Sequence, residues 1–250
     1  MISPKNRVCP ARLAGLVLLA LLLAAPALAA PALPAASAES TLRHLTVLSR
    51  QIGPRPSGAP AYLRAVEYVE GQLRALGYEA ERQPFNFLYF EARGATLRVA
   101  GSETLQPVVL EYSAATPAQG VEVPLVHAGL GQREEVQRAG VAGRIVLVQR
   151  GEFTFREKVE NAAAAGAVGV VVYNNRPGPV QGATLITPSR IPAVIISLAE
   201  GERLLARLRQ GAVRVQLHVD TLTEQRTTWN VIGRRAGRRA RTIVIGGHLD

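Results

Sequence analysis

Cysteine and methionine are almost missing from this sequence, which has one of each among its 250 residues. The single cysteine, Cys9, precedes an apolar run near the amino terminus, so a chain cleaved after that run contains no cysteine. Disulfide bonds, thiolate metal ligands and a cysteine nucleophile are therefore excluded for the cleaved chain. Charged residues are also scarce, at 19% against 48% apolar residues, and this balance excludes a wholly disordered chain.

Several sequence signatures of function and architecture are missing as well. The sequence shows no internal repeat, no glycine-rich phosphate-binding loop and no serine nucleophile elbow. Its 23 glycines and 16 prolines follow no collagen period, which excludes a fibrous protein. The length fits one large domain or two modest ones, and it allows a substantial hydrophobic core.

The amino terminus has the order of a secretory signal peptide. Three Lys or Arg residues precede an apolar run from Leu13 to Ala25, and the small-x-small sequence Ala27-Leu28-Ala29 follows it. The run is shorter than the roughly 20 apolar residues that a spanning helix needs. We therefore predict that residues 1–29 are a signal peptide, with cleavage after Ala38 as the alternative, and that the protein is extracellular or periplasmic. An uncleaved membrane anchor stays open; once the signal is cleaved, no stable membrane span is expected.

Positive residues outnumber negative ones by 29 to 19, a net charge of +10. Loss of the signal peptide removes three positive residues and leaves 26 against 19, or +7. The densest basic cluster could bind nucleic acid, but it has no interleaved aromatic residues and lies in a predicted hairpin turn. We expect an exposed turn there and no nucleic-acid partner. This basic cluster comprises Arg234, Arg235, Arg238, Arg239 and Arg241.

The first of three stretches in the cleaved chain covers residues 39–104. A short helix is predicted from Glu39 to Gln51, and a firmer one follows because apolar residues recur every three or four positions from Tyr62 to Leu76. The segment from Tyr78 to Phe90 is aromatic and extended, which favours a strand. Ala95 to Val99 is a candidate partner strand for it.

The second stretch, residues 105–220, changes to short strands, glycine-rich turns and two helices, a pattern typical of a small α+β domain. Ser197 and Glu200 form a capping-box pattern at the start of one of the helices. The predicted strands lie at 144–148, 167–173, 192–196 and 213–219, and the predicted helices at 155–165 and 198–208.

The third stretch, residues 221–250, returns to a two-strand pattern, with strands predicted at 228–232 and 242–245. His248 and Asp250 follow the second strand, and ligand sites in open α/β sheets form at the carboxyl ends of strands. Side chains two residues apart on an extended segment point the same way, so both would face one pocket. A carboxylate beside a metal-binding histidine fixes its tautomer and ring angle. On these local features alone, a polar strand end explains the pair equally well.

Other titratable residues are weaker candidates for chemistry. His44, His127 and His218 have no metal-ligating neighbours in sequence, so surface histidines are expected. Glu134 and Glu135 are adjacent on a predicted helix and therefore face different directions, which favours a solvated helix face over a paired acid and base.

A long, ordered stretch from Gly129 to Leu205 resembles the protease-associated domain. Phe153, beside Glu152, stands where many members of that family carry cysteine, so a disulfide there is excluded. The matching motifs are Gly143–Gly151, Phe153-Thr154-Phe155 with Lys158, Asn161–Ala167 running into Val170–Asn174, Ile191–Val194 and the helix from Gly201 to Leu205.

The flanking stretches resemble bacterial leucyl-aminopeptidase-like zinc exopeptidases, which often carry this domain as an insertion. The resemblance implies an α/β fold in which a mixed sheet sandwiched by helices is interrupted by the small α+β protease-associated domain at 105–220. It also implies that His248 is the first zinc ligand and that Asp250 is the carboxylate that orients it. The matching segments are Ile52–Gly58, the helix that ends at Gly77, Asn230-Val231-Ile232 and Gly246–Asp250.

The same resemblance implies two zinc ions, peptide or protein substrates and hydrolysis of amino-terminal residues. The remaining ligands and the general-base Glu of that family lie beyond the position matched by Asp250. We therefore expect a fragment of a peptidase domain, covering 39–104 and 221–250, that is inactive alone. Terminal residues are usually frayed, so the His248–Asp250 pair is not expected to be preorganised. The alternative is a secreted, non-catalytic protease-associated binding module.

Overall fold

The helices begin at caps that the sequence supplies. Ser37, Thr154 and Ser197 each form a capping box with the residue three positions later, which satisfies the free backbone N–H groups of the first turn. The helix after the first loop instead starts with Pro60, whose fixed φ suits that position. The helices are α1 (Ala38–Thr46), which continues as a π-helix (Val47–Ile52), α2 (Pro60–Ala75), α3 (Arg133–Ala139), α4 (Phe155–Ala164) and α5 (Leu198–Gln210).

This computed structural model describes residues 37–101, 103–180, 183–237 and 241–250. The predicted signal peptide lies outside these ranges, and no helix within them is long and apolar enough to cross a membrane. The strands are β1 (Glu79–Val99), β2 (Thr104–Leu105), β3 (Val108–Val109), β4 (Val121–His127), β5 (Ile145–Gln149), β6 (Gly169–Tyr173), β7 (Ala193–Ile196) and β8 (Val213–Arg234).

The strands form one mixed sheet in the order β2-β1-β8-β4-β5-β6-β7-β3. The three pairs β4–β5, β5–β6 and β6–β7 are parallel, and all other pairs in the sheet are antiparallel. Parallel neighbours need crossover connections, which α3, α4 and the long loop before β7 provide. The mixed α/β class predicted from the sequence is confirmed.

Helices cover both faces of the parallel strands. On one face Val146 packs in a core with Val136 of α3 and Val159 of α4. On the other face Leu147 packs in a second core with Leu204 of α5. Burial on both faces explains why β5, β6 and β7 are continuous apolar runs rather than alternating ones.

Strands β1 and β8 form an antiparallel ribbon that is longer than the sequence predicted. Ala95–Val99, the candidate partner of Tyr78–Phe90, is the continuation of the same strand and pairs with Val215–Val219. That prediction was wrong because an irregularity between Ala92 and Gly94 shifts the register without ending the strand. We call residues 79–92 and 221–234, which extend beyond the strands of the domain core, the outer ribbon.

Helix α2 packs on the outer ribbon through a close backbone approach and an ion cluster. A Cβ atom at Gly233 would lie 3.0 Å from the side chain of Leu73, so glycine allows the helix to sit close. Glu70, only 7% exposed, accepts hydrogen bonds at 2.6 Å from Arg74 on its own helix and from Arg82 on β1. These contacts fix the helix relative to the ribbon, and with it the loop that precedes the helix.

The carboxyl-terminal prediction of two short strands was wrong. Thr228–Ile232 belongs to β8, and Thr242–Ile245 has no strand partner within the described residues. A strand needs a neighbour for its backbone hydrogen bonds, so an apolar sequence alone does not form one. The hairpin turn predicted between these two strands falls partly on residues 238–240, which lie outside the described residues.

Part of the basic cluster lies in this region. Arg234 pairs with Glu81 at 2.6 Å, and Arg235 donates to the carbonyl oxygen of Leu76 at 3.3 Å. Arg238 and Arg239 lie outside the described residues.

Candidate functional site

The carboxyl-terminal segment, residues 241–250, contacts the loop that joins the π-helix to α2. In that loop Arg55 donates from Nη1 to the carbonyl oxygens of Leu48, at 2.9 Å, and Gly53, at 3.2 Å. Its Nε donates to the carbonyl oxygen of Leu249. One guanidinium therefore braces its own loop and holds the backbone between His248 and Asp250.

The His248 and Asp250 side chains are hydrogen-bonded to each other, with 3.1 Å between Nδ1 and Oδ1. Ser57 donates from its hydroxyl to the other carboxylate oxygen of Asp250 at 3.0 Å. The hydrogen bond from His248, followed by the one from Ser57, holds the pKa of Asp250 below its ordinary value. Asp250 is therefore an anion at neutral pH.

An ionised carboxylate accepts hydrogen bonds and cannot donate one, so Nδ1 of His248 carries the proton in this contact. When the ring is neutral, the other nitrogen, Nε2, then carries the lone pair. The His248 side chain is 95% exposed, so a metal ion can reach that nitrogen from solvent. Histidines that bind metals usually have their other ring nitrogen held in this way by a carboxylate or a carbonyl oxygen.

Tyr62 of α2 lies close enough to Asp250 to be affected by its charge. Its hydroxyl donates to the carbonyl oxygen of Trp229 on β8 at 3.1 Å. Burial, and then the negative charge of Asp250, raise the pKa of Tyr62 above its ordinary value. Tyr62 therefore stays neutral beside the carboxylate and ties the site to the outer ribbon.

These donors fit one ligand position with its orienting carboxylate. Within the described ranges no three His, Cys, Asp or Glu side chains come together to hold a metal ion. Catalytic zinc takes about three protein ligands and an open position, so His248 and Asp250 fit a part of such a site.

The structure brings His248 and Asp250 together, as their spacing predicted, but by a different route. The segment before them is not a strand. The chain end was expected to be frayed, but Arg55 and Ser57 hold it through hydrogen bonds to Leu249 and Asp250. The Ile52–Gly58 motif was the one sequence signal that pointed to this loop. Which of its side chains contact the carboxyl-terminal segment could not be deduced from that motif.

The remaining histidines are separate from this site. His44 contacts the Tyr68 hydroxyl at 2.6 Å, which joins α1 to α2. The ring centre of His127 lies 6.2 Å from that of Tyr173, with the rings tilted by 45°, and His218 lies on β8.

Glu135 departs from the sequence prediction of a solvated helix face. Its carboxylate accepts hydrogen bonds from the backbone N–H groups of Leu130, at 2.9 Å, and Gln132, at 3.0 Å. It therefore caps the first turn of α3, while Glu134 is exposed.

A known domain family matches the middle of the chain. Residues 114–204 match the PA domain. The match falls within Gly129–Leu205 and the loop and strand before it, so the resemblance drawn from the motifs is confirmed.

Within the PA domain, two polar residues of the matching motifs contact the loop before α3. Lys158 is fully buried, donates to the carbonyl oxygen of Leu130, and lies 5.4 Å from the ring centre of Phe153. Burial lowers the pKa of its ammonium group. Asn161 donates to the carbonyl oxygen of Gly131 at 3.0 Å, so both side chains pin the loop before α3.

The chain is also similar to aminopeptidases over a longer range. It is 34% identical over 200 residues to "Leucine aminopeptidase 2" of Arthroderma otae, covering 78% of this chain and 40% of that protein. Two solved structures are similar as well, an aminopeptidase from Aneurinibacillus sp. strain AM-1 and a zinc aminopeptidase from Bacillus subtilis.

The structural matches extend across most of the described chain. The Aneurinibacillus enzyme has a TM-score of 0.71 and 34% identity, over 82% of this chain and 49% of that one. The Bacillus enzyme has a TM-score of 0.60 and 30% identity, over 81% and 48%. The chain thus spans about 40% of the curated relative and about half of the solved chains. It is similar to a part of these aminopeptidases.

Proposed function

We propose that this chain is part of an exported zinc-dependent aminopeptidase, in which His248 binds the first zinc ion and Asp250 orients His248. The observation that carries the proposal is the hydrogen bond from Nδ1 of His248 to the Asp250 carboxylate, which leaves Nε2 exposed. Similarity to a zinc aminopeptidase supports zinc as the metal, and similarity to a leucine aminopeptidase supports the reaction class.

The residues of this chain have defined roles in the proposed reaction. Zinc, two ions in the complete site, would lower the pKa of a water molecule and polarise the scissile carbonyl of a peptide. Asp250 keeps the Nδ1 proton in place, so Nε2 stays available as a ligand. Arg55 and Ser57 hold the backbone and carboxylate of this pair.

The 250 residues alone are proposed to be inactive, since the described residues bring together one imidazole ligand and its partner carboxylate where about three ligands are needed. Export is proposed from the signal-peptide pattern in residues 1–29. Amino-terminal sequencing of the protein recovered outside the cytoplasm should give a chain that starts after Ala29 or Ala38. A chain that starts at Met1 and sediments with membranes would contradict cleavage.

Hydrolysis of leucyl-anilide with and without added zinc tests the activity. Residues 1–250 should show no zinc-dependent turnover, and the protein expressed from its complete gene should show it. In that protein His248→Ala should reduce turnover to background, while the control His218→Ala, on β8, should retain it. Zinc-dependent turnover by residues 1–250 would refute the proposed inactivity, and an active His248→Ala protein would refute the ligand.

The second candidate is a secreted, non-catalytic binding module. The match of residues 114–204 to the PA domain favours it, because strands of this region, such as β5 and β6, are buried in both apolar cores. It would be supported if the protein from the complete gene bound partners but never hydrolysed anilides.

A further inference from the structure

A cleft lies on the PA domain between α3, α4 and the loop of residues 185–190. Its volume is about 440 Å³, within the range of ligand-binding pockets. The hollow exists because α4 ends in alanines: Ala163 and Ala164 line it where larger side chains would fill it. Leu185 and Pro188 on the loop complete an apolar floor.

The rim of this cleft is positively charged. Three arginines line it, from α3 (Arg133), α4 (Arg156) and the loop (Arg190). Arg156 is paired with Glu160 at 2.7 Å. Among the residues that the structure describes, no carboxylate lies within 4.0 Å of the guanidinium groups of Arg133 and Arg190. Two of the three arginines are therefore available to a ligand.

The chemistry of the lining selects a ligand class. A guanidinium presents two parallel N–H donors that match a carboxylate, and arginine is enriched where carboxylates are recognised. Among the described residues, no aromatic side chain lines the cleft, so this lining offers no ring on which a nucleic-acid base could stack. An apolar floor between two cationic walls fits a short extended peptide whose backbone crosses the alanines and whose acidic side chains meet the arginines.

We propose that this cleft binds an acidic segment of a peptide or protein, with Arg133 and Arg190 as the carboxylate-binding residues. None of its lining residues belongs to the 53–58 loop or to the carboxyl-terminal segment. Binding there requires neither zinc nor hydrolysis, so it is independent of the proposed catalytic function.

Fluorescence anisotropy with the 250-residue chain tests the proposal. The probe is an acetylated, fluorescein-labelled peptide in which glutamates alternate with alanines, and its matched control carries glutamines. The blocked amino terminus prevents cleavage by an aminopeptidase. The acidic peptide should bind at least about tenfold more tightly than its control, and raised salt should weaken it.

Variants separate the cleft from the general positive charge of the chain. Arg133→Gln/Arg190→Gln should weaken acidic-peptide binding by at least about tenfold, whereas Arg144→Gln, an exposed arginine outside the cleft, should change it less than about twofold. Ala164→Phe fills the floor without changing charge and should also abolish binding, with circular dichroism confirming that each variant is folded.

Three results would overturn the proposal. They are equal binding of the acidic and glutamine peptides, equal effects of the cleft and Arg144 substitutions, and displacement of the peptide by an oligonucleotide at lower concentration than by unlabelled peptide.

Discussion

Two apolar runs of this chain look alike in sequence and have opposite environments. Ile145–Val148 lies in β5 and is buried, with each of its four residues 0% exposed. In Thr242–Ile245 the three apolar residues are 85–91% exposed, and the segment is not a strand. The difference is the presence of neighbours, because β5 has β4 and β6 on its sides and helices on its faces.

The two regions are consequently held by different forces. The PA-domain core depends on buried apolar area, which contributes about 25 cal/mol for each Å² removed from water. The carboxyl-terminal segment depends on a few polar contacts from Arg55 and Ser57 to Leu249 and Asp250. Stability and site geometry should therefore respond to different substitutions, which the following predictions use.

The largest expected effect concerns where the PA-domain unit begins. The sequence places that boundary at 105, but Leu97 and Val99 of β1 are buried in the same core as β5 to β7. Residues 94–220 should unfold cooperatively in urea. Residues 105–220 should be less stable by about 3–6 kcal/mol, since burial of each large apolar side chain contributes about 1.5–3 kcal/mol. Equal urea midpoints for the two segments would show that β1 is dispensable to the core.

A single substitution in each apolar run tests the comparison directly. Leu147→Ala should lower the free energy of unfolding by about 2–5 kcal/mol, because it leaves a cavity in a packed core. Ile245→Ala should change it by less than about 0.5 kcal/mol, since that side chain is exposed. Urea denaturation followed by circular dichroism measures both, and similar losses would mean that the carboxyl-terminal run is buried in solution.

Sequence patterns predicted the elements whose signals are local. The capping box of Ser197 predicted the start of α5, and the apolar spacing from Tyr62 predicted α2. The length of β1 and the missing strand at 242–245 depend on pairing with residues far along the chain. The contact between Ser57 and Asp250 joins residues 193 positions apart, and no periodicity reports such a contact.

Next in size are the effects at the His248–Asp250 pair, measured in the protein expressed from its complete gene. Asp250→Asn should weaken zinc binding or turnover by about 10- to 100-fold, because the amide cannot hold His248 as a carboxylate does. Ser57→Ala should weaken zinc binding or turnover by less than about tenfold, since Asp250 keeps its contact with His248. Competition with a chromophoric chelator gives the zinc affinity.

Ser49→Ala is the control for this pair of substitutions. Its hydroxyl, on the π-helix, donates to the carbonyl oxygen of Leu45 in α1, away from Asp250. An equal loss in the Ser49→Ala and Ser57→Ala proteins would argue against a positioning role for Ser57.

The smallest effect is a pH dependence of stability from Glu70, which joins α2 to the outer ribbon. The hydrogen bond from Arg82 holds the pKa of Glu70 below its ordinary value, although burial acts in the opposite direction. A carboxyl whose pKa is lower in the folded state stabilises the fold above its unfolded pKa, about 4.3, and loses that contribution as the pH falls through the folded pKa. Glu70→Gln should therefore lower the urea midpoint at neutral pH, and the difference in midpoint from the native protein should narrow in acid.

The control is Glu67→Gln, an exposed position on the same helix, which should leave the pH dependence of the urea midpoint unchanged. A Glu70→Gln protein whose midpoint falls in parallel with the native one from neutral pH into acid would show that the ion cluster contributes nothing specific.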